Sequence, residues 1–140
     1  MLLVLDSNEY IFALGLHKKH FSEKLIERIF SSLSENAIRI PRMVVEEVKS
    51  NLTAETFKDF ILLIRKGAIP VDEDISVPFE LGVKYETLGF KASDALIGAY
   101  AEYVGADALV SENRHFLSRH ANLPFKVLTA EQALKALQKR

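Results

Sequence analysis

Apolar residues fall into two patterns along this chain. Residues 2–5 (Leu-Leu-Val-Leu) form a continuous apolar run without alternation, the mark of a central strand covered on both faces. Elsewhere apolar residues recur every three or four positions, as on one side of a helix. Residues 8–16 carry Ile11, Phe12, Leu14 and Leu16, and residues 21–33 carry Leu25, Ile26, Ile29, Phe30 and Leu33. Ser22 is placed to cap the second of these helices and Asn36 to stop it. Residues 37–40 read as a second strand. Pro41 opens a helix with Met43, Val44, Val45 and Val48 on its buried side. Thr53 caps a further helix within residues 51–66, striped by Phe57, Phe60, Ile61 and Ile64 and ended by Gly67. Residues 68–71 suit an edge strand because Pro70 cannot donate to a ladder. Residues 72–78 read as a loop and 77–88 as a helix. A helix rich in small residues follows Ser93, its expected cap, and stops at Gly105. Residues 106–110 form a strand, 114–119 a short helix and 125–128 a last strand, after which Thr129 caps a helix that runs to the C-terminus.

Strands separated by helical stretches predict an α/β protein with a parallel sheet and helices on both faces. The length of 140 residues fits one domain, 1–140, with room for a core. Its 49% apolar and 26% charged residues are those of an ordinary globular protein. The apolar start is no signal peptide, because it lacks a basic region and is interrupted by Asp6 and Glu9. No stretch approaches the roughly 18 apolar residues of a membrane span, so no membrane partner is expected. The net charge of -1 provides no bulk basic field, and nucleic-acid binding would need a local patch. The chain has no cysteine. Disulfides and thiolate sites are thereby excluded, a cytoplasmic setting is the natural expectation, and any metal must sit on oxygen or imidazole.

Acids stand where strands end or helices begin. Asp6 follows the first strand directly, Glu46 and Glu47 lie early in the helix after Pro41, Asp94 opens the small-residue helix, and Glu112 with Asn113 closes the strand 106–110. A helix N-terminus stabilises any one such carboxylate by a few tenths to about 1 kcal/mol. It does not account for several together, which repel unless a proton or cation intervenes. Hard oxygen donors without cysteine or a histidine pair point to Mg²⁺ or Mn²⁺. Carboxylate-held divalent ions serve phosphodiester hydrolysis.

Val4-Leu5-Asp6-Ser7-Asn8, Glu46-Glu47-Val48, Ser93-Asp94-Ala95-Leu96-Ile97 and Leu109-Val110-Ser111-Glu112-Asn113-Arg114-His115-Phe116 together resemble, in order and spacing, the PIN-domain nucleases. The likeness covers almost the whole chain and is greatest to the small prokaryotic VapC-type toxins. It implies a three-layer α/β/α sandwich with a mainly parallel sheet and a Mg²⁺- or Mn²⁺-dependent endoribonuclease acting on RNA. It also implies an antitoxin partner and a homodimer. Carried over, Asp6, Glu47 and Asp94 match the metal-holding acids, with Glu46 the alternative to Glu47. Ser7 and Asn8 match the hydroxyl and amide beside the first acid. Asn113 falls on the fourth catalytic position, where an acid is common, with Glu112 as its neighbour, and Ser111 would orient ligands or water. A housekeeping RNA-processing nuclease and a binding module with a decayed site are the alternatives.

Basic residues beside these acids are candidates for substrate phosphate: Arg114 and His115, with Arg119 and His120 beyond them, then Lys91 and Arg42. Lys18-Lys19-His20 and Arg65-Lys66 read as solvated helix ends. Tyr85, Tyr100 and Tyr103 have spacings that suit packing rather than base stacking.

Overall fold

Leu3, Val4 and Leu5 are consecutive and all buried. Successive strand side chains point to opposite faces, so cover on both sides is required, as the unbroken apolar run predicts. The computed structural model describes residues 1–118 and 122–139. Its elements run β1 (Leu2–Leu5), α1 (Ser7–Leu14), α2 (His20–Phe30), β2 (Ala37–Ile38), β3 (Ile40–Pro41), α3 (Arg42–Asn51), α4 (Ala54–Lys66), β4 (Val71–Asp72), α5 (Phe79–Thr87), α6 (Ala92–Tyr103), β5 (Ala108–Val110), α7 (Arg114–Ser118), β6 (Lys126–Leu128) and α8 (Ala130–Gln138). The main sheet has the order β2-β1-β5-β6 and every pair in it is parallel. Helices flank it: α1 packs on α2 and α3, α2 on α8, and α5 on α6. The expected α/β architecture with a parallel central sheet is the one observed. Among the described residues no helix is long and apolar enough to cross a membrane.

The expected strand 37–40 divides at Arg39. Ala37 and Ile38 pair with β1, whereas Ile40 and Pro41 pair with β4 in a separate two-stranded sheet. The Arg39 guanidinium grips Asp72 through two bonds, of 3.0 and 2.7 Å, and the Tyr100 hydroxyl donates to the same carboxylate. That pairing draws the chain away from β1. The strand expected at 68–71 accordingly begins at Val71, and Pro70 contributes only its carbonyl, accepting from the Ile40 N–H at 3.1 Å.

Two caps stand as expected. Thr53 accepts from the Thr56 N–H, and Thr129 forms a reciprocal box with Gln132. Two do not. α2 starts at His20, ahead of Ser22, which lies buried inside the helix and donates to Glu9. α6 starts at Ala92, so Ser93 is its second residue. The small residues of α6 do allow close packing: Ala95, Gly98, Ala99 and Ala101 are buried. A β-carbon on Gly98 would come within 2.8 Å of the Tyr85 ring. Tyr85 is itself fully buried and tied to Glu102 through its hydroxyl at 2.9 Å, so it cannot yield. Gly98→Ala is therefore expected to destabilise by about 1 kcal/mol or more, overpacking outweighing the roughly 1 kcal/mol by which alanine is the better helix former. Chemical denaturation reads the sign, and a stabilised variant would refute the tight α5–α6 seam.

Candidate functional site

The chain leads from β1 outward to β2 on one side, and from β5 outward to β6 on the other. The carboxyl ends of β1 and β5 thus meet where the strand order reverses, the place at which open α/β sheets hold ligands. Asp6 continues the ladder, its N–H donating to the Val110 carbonyl at 2.9 Å. It is also the N-cap of α1: Oδ1 accepts from the Ser7 N–H at 2.8 Å. Its other oxygen, Oδ2, accepts from the hydroxyl of buried Ser111 at 3.0 Å.

Two further acids arrive from helices. Glu47 of α3 accepts from the Ser7 hydroxyl at 2.7 Å. Asp94, in the first turn of α6, accepts from Asn113 Nδ2 at 3.2 Å. Asn113 in turn donates its backbone N–H to Ser111 Oγ at 3.0 Å, and its Oδ1 accepts from the His115 N–H at 2.9 Å. Glu47, Ser7, Asp6, Ser111, Asn113 and Asp94 therefore form one unbroken series drawn from four parts of the chain.

Burial holds the Asp6 carboxyl above its ordinary value of 3.8, and the charges of Glu47 and Asp94 push the same way. The bonds from Ser111 and Ser7 oppose this and only partly offset it. The three acids thus share one electrostatic field. Among the described residues no three Asp, Glu or His side chains are already grouped closely enough to chelate an ion. The donors are nonetheless of the kind a hard divalent cation takes: three carboxylates are linked through one series of hydrogen bonds, and the charge on the central one is opposed by its surroundings. The same crevice could instead take up a proton.

Of the two neighbouring glutamates, Glu46 turns outward to Arg42 at 3.7 Å, and Arg42 also pairs with Glu73 at 3.0 Å. Asn8 is exposed and joins none of these bonds. Glu112 turns away from Asp94; its Oε2 accepts from the Ala130 N–H at the start of α8 at 3.1 Å. Arg114 and His115 are exposed on the first turn of α7, and Lys91 is exposed just ahead of α6. Arg119 and His120 lie outside the described residues. Lys18 pairs with Glu23 and Lys19 lies over the Phe12 ring, in keeping with solvated helix ends. Tyr85 and Tyr100 are buried in the core, whereas Tyr103 is exposed. Sequence reasoning passed over Glu9, which is fully buried beside the site. Its signal was present: Glu9 and Ala13, four residues apart, lie on the buried face of α1.

Relief of the shared field has a measurable consequence. Asp94→Asn keeps an acceptor for Asn113 and removes one charge facing Asp6. The metal-free variant is expected to melt a few degrees higher than the wild type, about 1 kcal/mol more stable, with the Asp6 carboxyl titrating lower. Because folding raises this pKa, the wild type loses stability as pH rises above about 3.8, and the variant loses less. Equal melting curves across that range would show that the acids do not interact.

Comparison with known proteins adds the fold. No family model matches the chain, and no curated protein matches it by sequence. Solved structures do. The chain is similar to one in the crystal structure of VapBC2 from Rickettsia felis bound to a DNA fragment from their promoter, with a TM-score of 0.64 and 18% identity over 92% of this chain and 98% of that one. It is likewise similar to one in FitAcB from Neisseria gonorrhoeae, with a TM-score of 0.60 and 14% identity over the same shares of each chain. At these identities the likeness establishes a shared PIN-like α/β fold.

Proposed function

We propose that this chain, as one domain, is a Mg²⁺- or Mn²⁺-dependent endoribonuclease that hydrolyses RNA phosphodiester bonds and acts in the cytoplasm as the toxin of a toxin–antitoxin pair. The observation that carries this is the hydrogen-bonded series from Glu47 through Asp6 to Asp94 at the strand-order reversal. A helix cap accounts for Asp6 alone; it does not account for three acids sharing one field.

Asp6, Glu47 and Asp94 are the residues that would hold the ion. When bound, it supplies charge for the phosphodiester and lowers the pKa of water, which dispenses with a histidine base. Ser7 and Ser111 hold the carboxylates of Glu47 and Asp6 by donating to them. Asn113 steadies Asp94 by donation and leaves the fourth position uncharged. Arg114, His115 and Lys91 flank the acids in sequence and are exposed, so substrate phosphates are assigned to them. The likeness to VapBC2 and FitAcB supports the toxin role and an antitoxin as partner. Exposed Ile75, Phe79, Val83 and Leu96 line one surface hollow, which supports self-association into a homodimer.

The decisive test is cleavage of a mixed RNA panel with Mn²⁺ or Mg²⁺ by the wild type and by Asp6→Asn. Cleavage by the wild type is expected to need the ion and to fall about a hundredfold or more in the variant, the scale of losing several kcal/mol of charge stabilisation. Equal rates in both would remove Asp6 from the site. Cleavage without a protein that binds the chain and silences it would leave a nuclease outside any toxin pair. Separately, saturating Mg²⁺ or Mn²⁺ should raise the wild-type melting temperature by several degrees and raise that of Asp94→Asn less. A wild-type curve indifferent to both ions would refute the metal assignment.

A further inference from the structure

Glu47 and Asp94 are the two ends of the hydrogen-bonded series, and they stand on different helices. α3 packs on α1, whereas α6 packs on α5 and against β5. Local residues do little for the start of α3: Pro41, its N-cap, makes no side-chain cap bond, and no acid lies in its first turn. The acceptor comes instead from 31 residues away, where Asp74 Oδ1 takes the Met43 N–H at 3.1 Å. The two residues ahead of Asp74 grip the same stretch. Glu73 accepts from the Arg42 guanidinium at 3.0 and 3.3 Å, and Asp72 from that of Arg39 at 3.0 and 2.7 Å. Asp72, Glu73 and Asp74 thus meet residues 39–43 at successive points, in the register that sets Pro41 opposite Asp72.

Asp72 has a second partner. The buried Tyr100 donates its hydroxyl to the same carboxylate, and Tyr100 lies on α6, the helix whose first turn carries Asp94. Joining β3 to β4 accounts for Asp72 and Arg39. It does not account for Asp74, which acts on α3, or for Tyr100, which brings in α6. The Arg42–Glu73 pair is exposed on both sides and contributes little. We propose that Asp72 and Asp74 are positioning residues of the acidic site. Asp74 fixes the first turn of α3, which sets Glu47 one turn later. Asp72 ties that stretch to α6, and so to Asp94. Together they set the separation of the two outer acids while touching neither. Its consequence for ion binding rests on the metal-dependent reading of the site; the tie itself does not. Metal ligands must stand within about 0.2 Å of their places, so a small swing of α3 against α6 loosens an ion and leaves the core intact.

The test uses the full chain with Asp74→Ala, Asp74→Asn and Tyr100→Phe. Thr53→Ala serves as the reference for a cap lost elsewhere, since it uncaps α4 alone. In the metal-free chain, Tyr100→Phe is expected to move the backbone amide resonances of Met43 and Glu47, and Asp74→Ala that of Asp94. By calorimetry, Mn²⁺ should bind about tenfold more weakly to Asp74→Ala and to Tyr100→Phe, the scale of losing a group that holds a ligand in place. Asp74→Asn keeps an acceptor for Met43 and should bind Mn²⁺ as the wild type does. So should Thr53→Ala, although it melts lower. With RNA at a fixed, limiting Mn²⁺ concentration, kcat should fall in Asp74→Ala and Tyr100→Phe while KM stays. Tyr100→Phe removes a single oxygen and carries the test if Asp74→Ala does not fold. Unmoved Met43 and Glu47 amides in Tyr100→Phe overturn the tie. Wild-type Mn²⁺ affinity in Tyr100→Phe or Asp74→Ala, or an equal loss in Thr53→Ala, overturns the positioning role. Amides that move as expected in a chain that binds no Mn²⁺ uphold the tie and retire the metal reading of the site.

Discussion

The hydrogen bond from Ser111 to Asp6 joins the ends of two neighbouring parallel strands that lie 105 residues apart in sequence, and the acidic site depends on it. It exists only in the register that sets Leu5 opposite Val110. A slip of one residue would turn Ser111 to the other face of the sheet. Apolar matching cannot set that register, because β1 and β5 are apolar on both faces and Ala108, Leu109 and Val110 are all buried. Polar groups at the two ends of the pair do so instead. At one end Asp107 accepts from the Leu2 N–H at 2.6 Å; at the other, Asp6 takes the Ser111 hydroxyl. The residues that align the strands are thus also those that build the site.

The chain is nearly neutral as a whole, with a net charge of -1, yet it gathers acids at one edge of its sheet. Several donors make this tolerable. Asp6 and Asp94 lie at helix N-termini, where backbone N–H groups and the helix dipole favour negative charge. Ser7, Ser111 and Asn113 add side-chain donors. Burial still outweighs these bonds at Asp6, whose carboxyl remains above its ordinary range. Such a crevice takes up either a proton or a cation.

Much of this was legible in the chain of letters. The apolar run at residues 2–5 marked a doubly covered strand, and Thr53 and Thr129 marked helix starts, because both signals are local and repeat over a few residues. Asp6, Glu47, Asp94, Ser111 and Asn113 were each visible at an element's end, and the structure joins all five. Ser22 shows the limit. Its type and place suited a cap, but a buried carboxylate thirteen residues earlier takes its hydroxyl. The division at Arg39 was equally hidden, since the partner that draws it, Asp72, lies 33 residues away.

By itself, then, the sequence determined the kinds of element, their order and which acids stand at their ends. These follow from propensity, capping and periodicity, forces that act within a turn or two of the chain. Tertiary structure alone decided that Glu47 rather than Glu46 faces Ser7, that Asn113 is bonded to Asp94, and that the buried Glu9 takes the hydroxyl of Ser22. Each of these is a contact between distant segments, set by strand register and helix packing. No local pattern encodes the partner of a side chain that the fold brings from elsewhere.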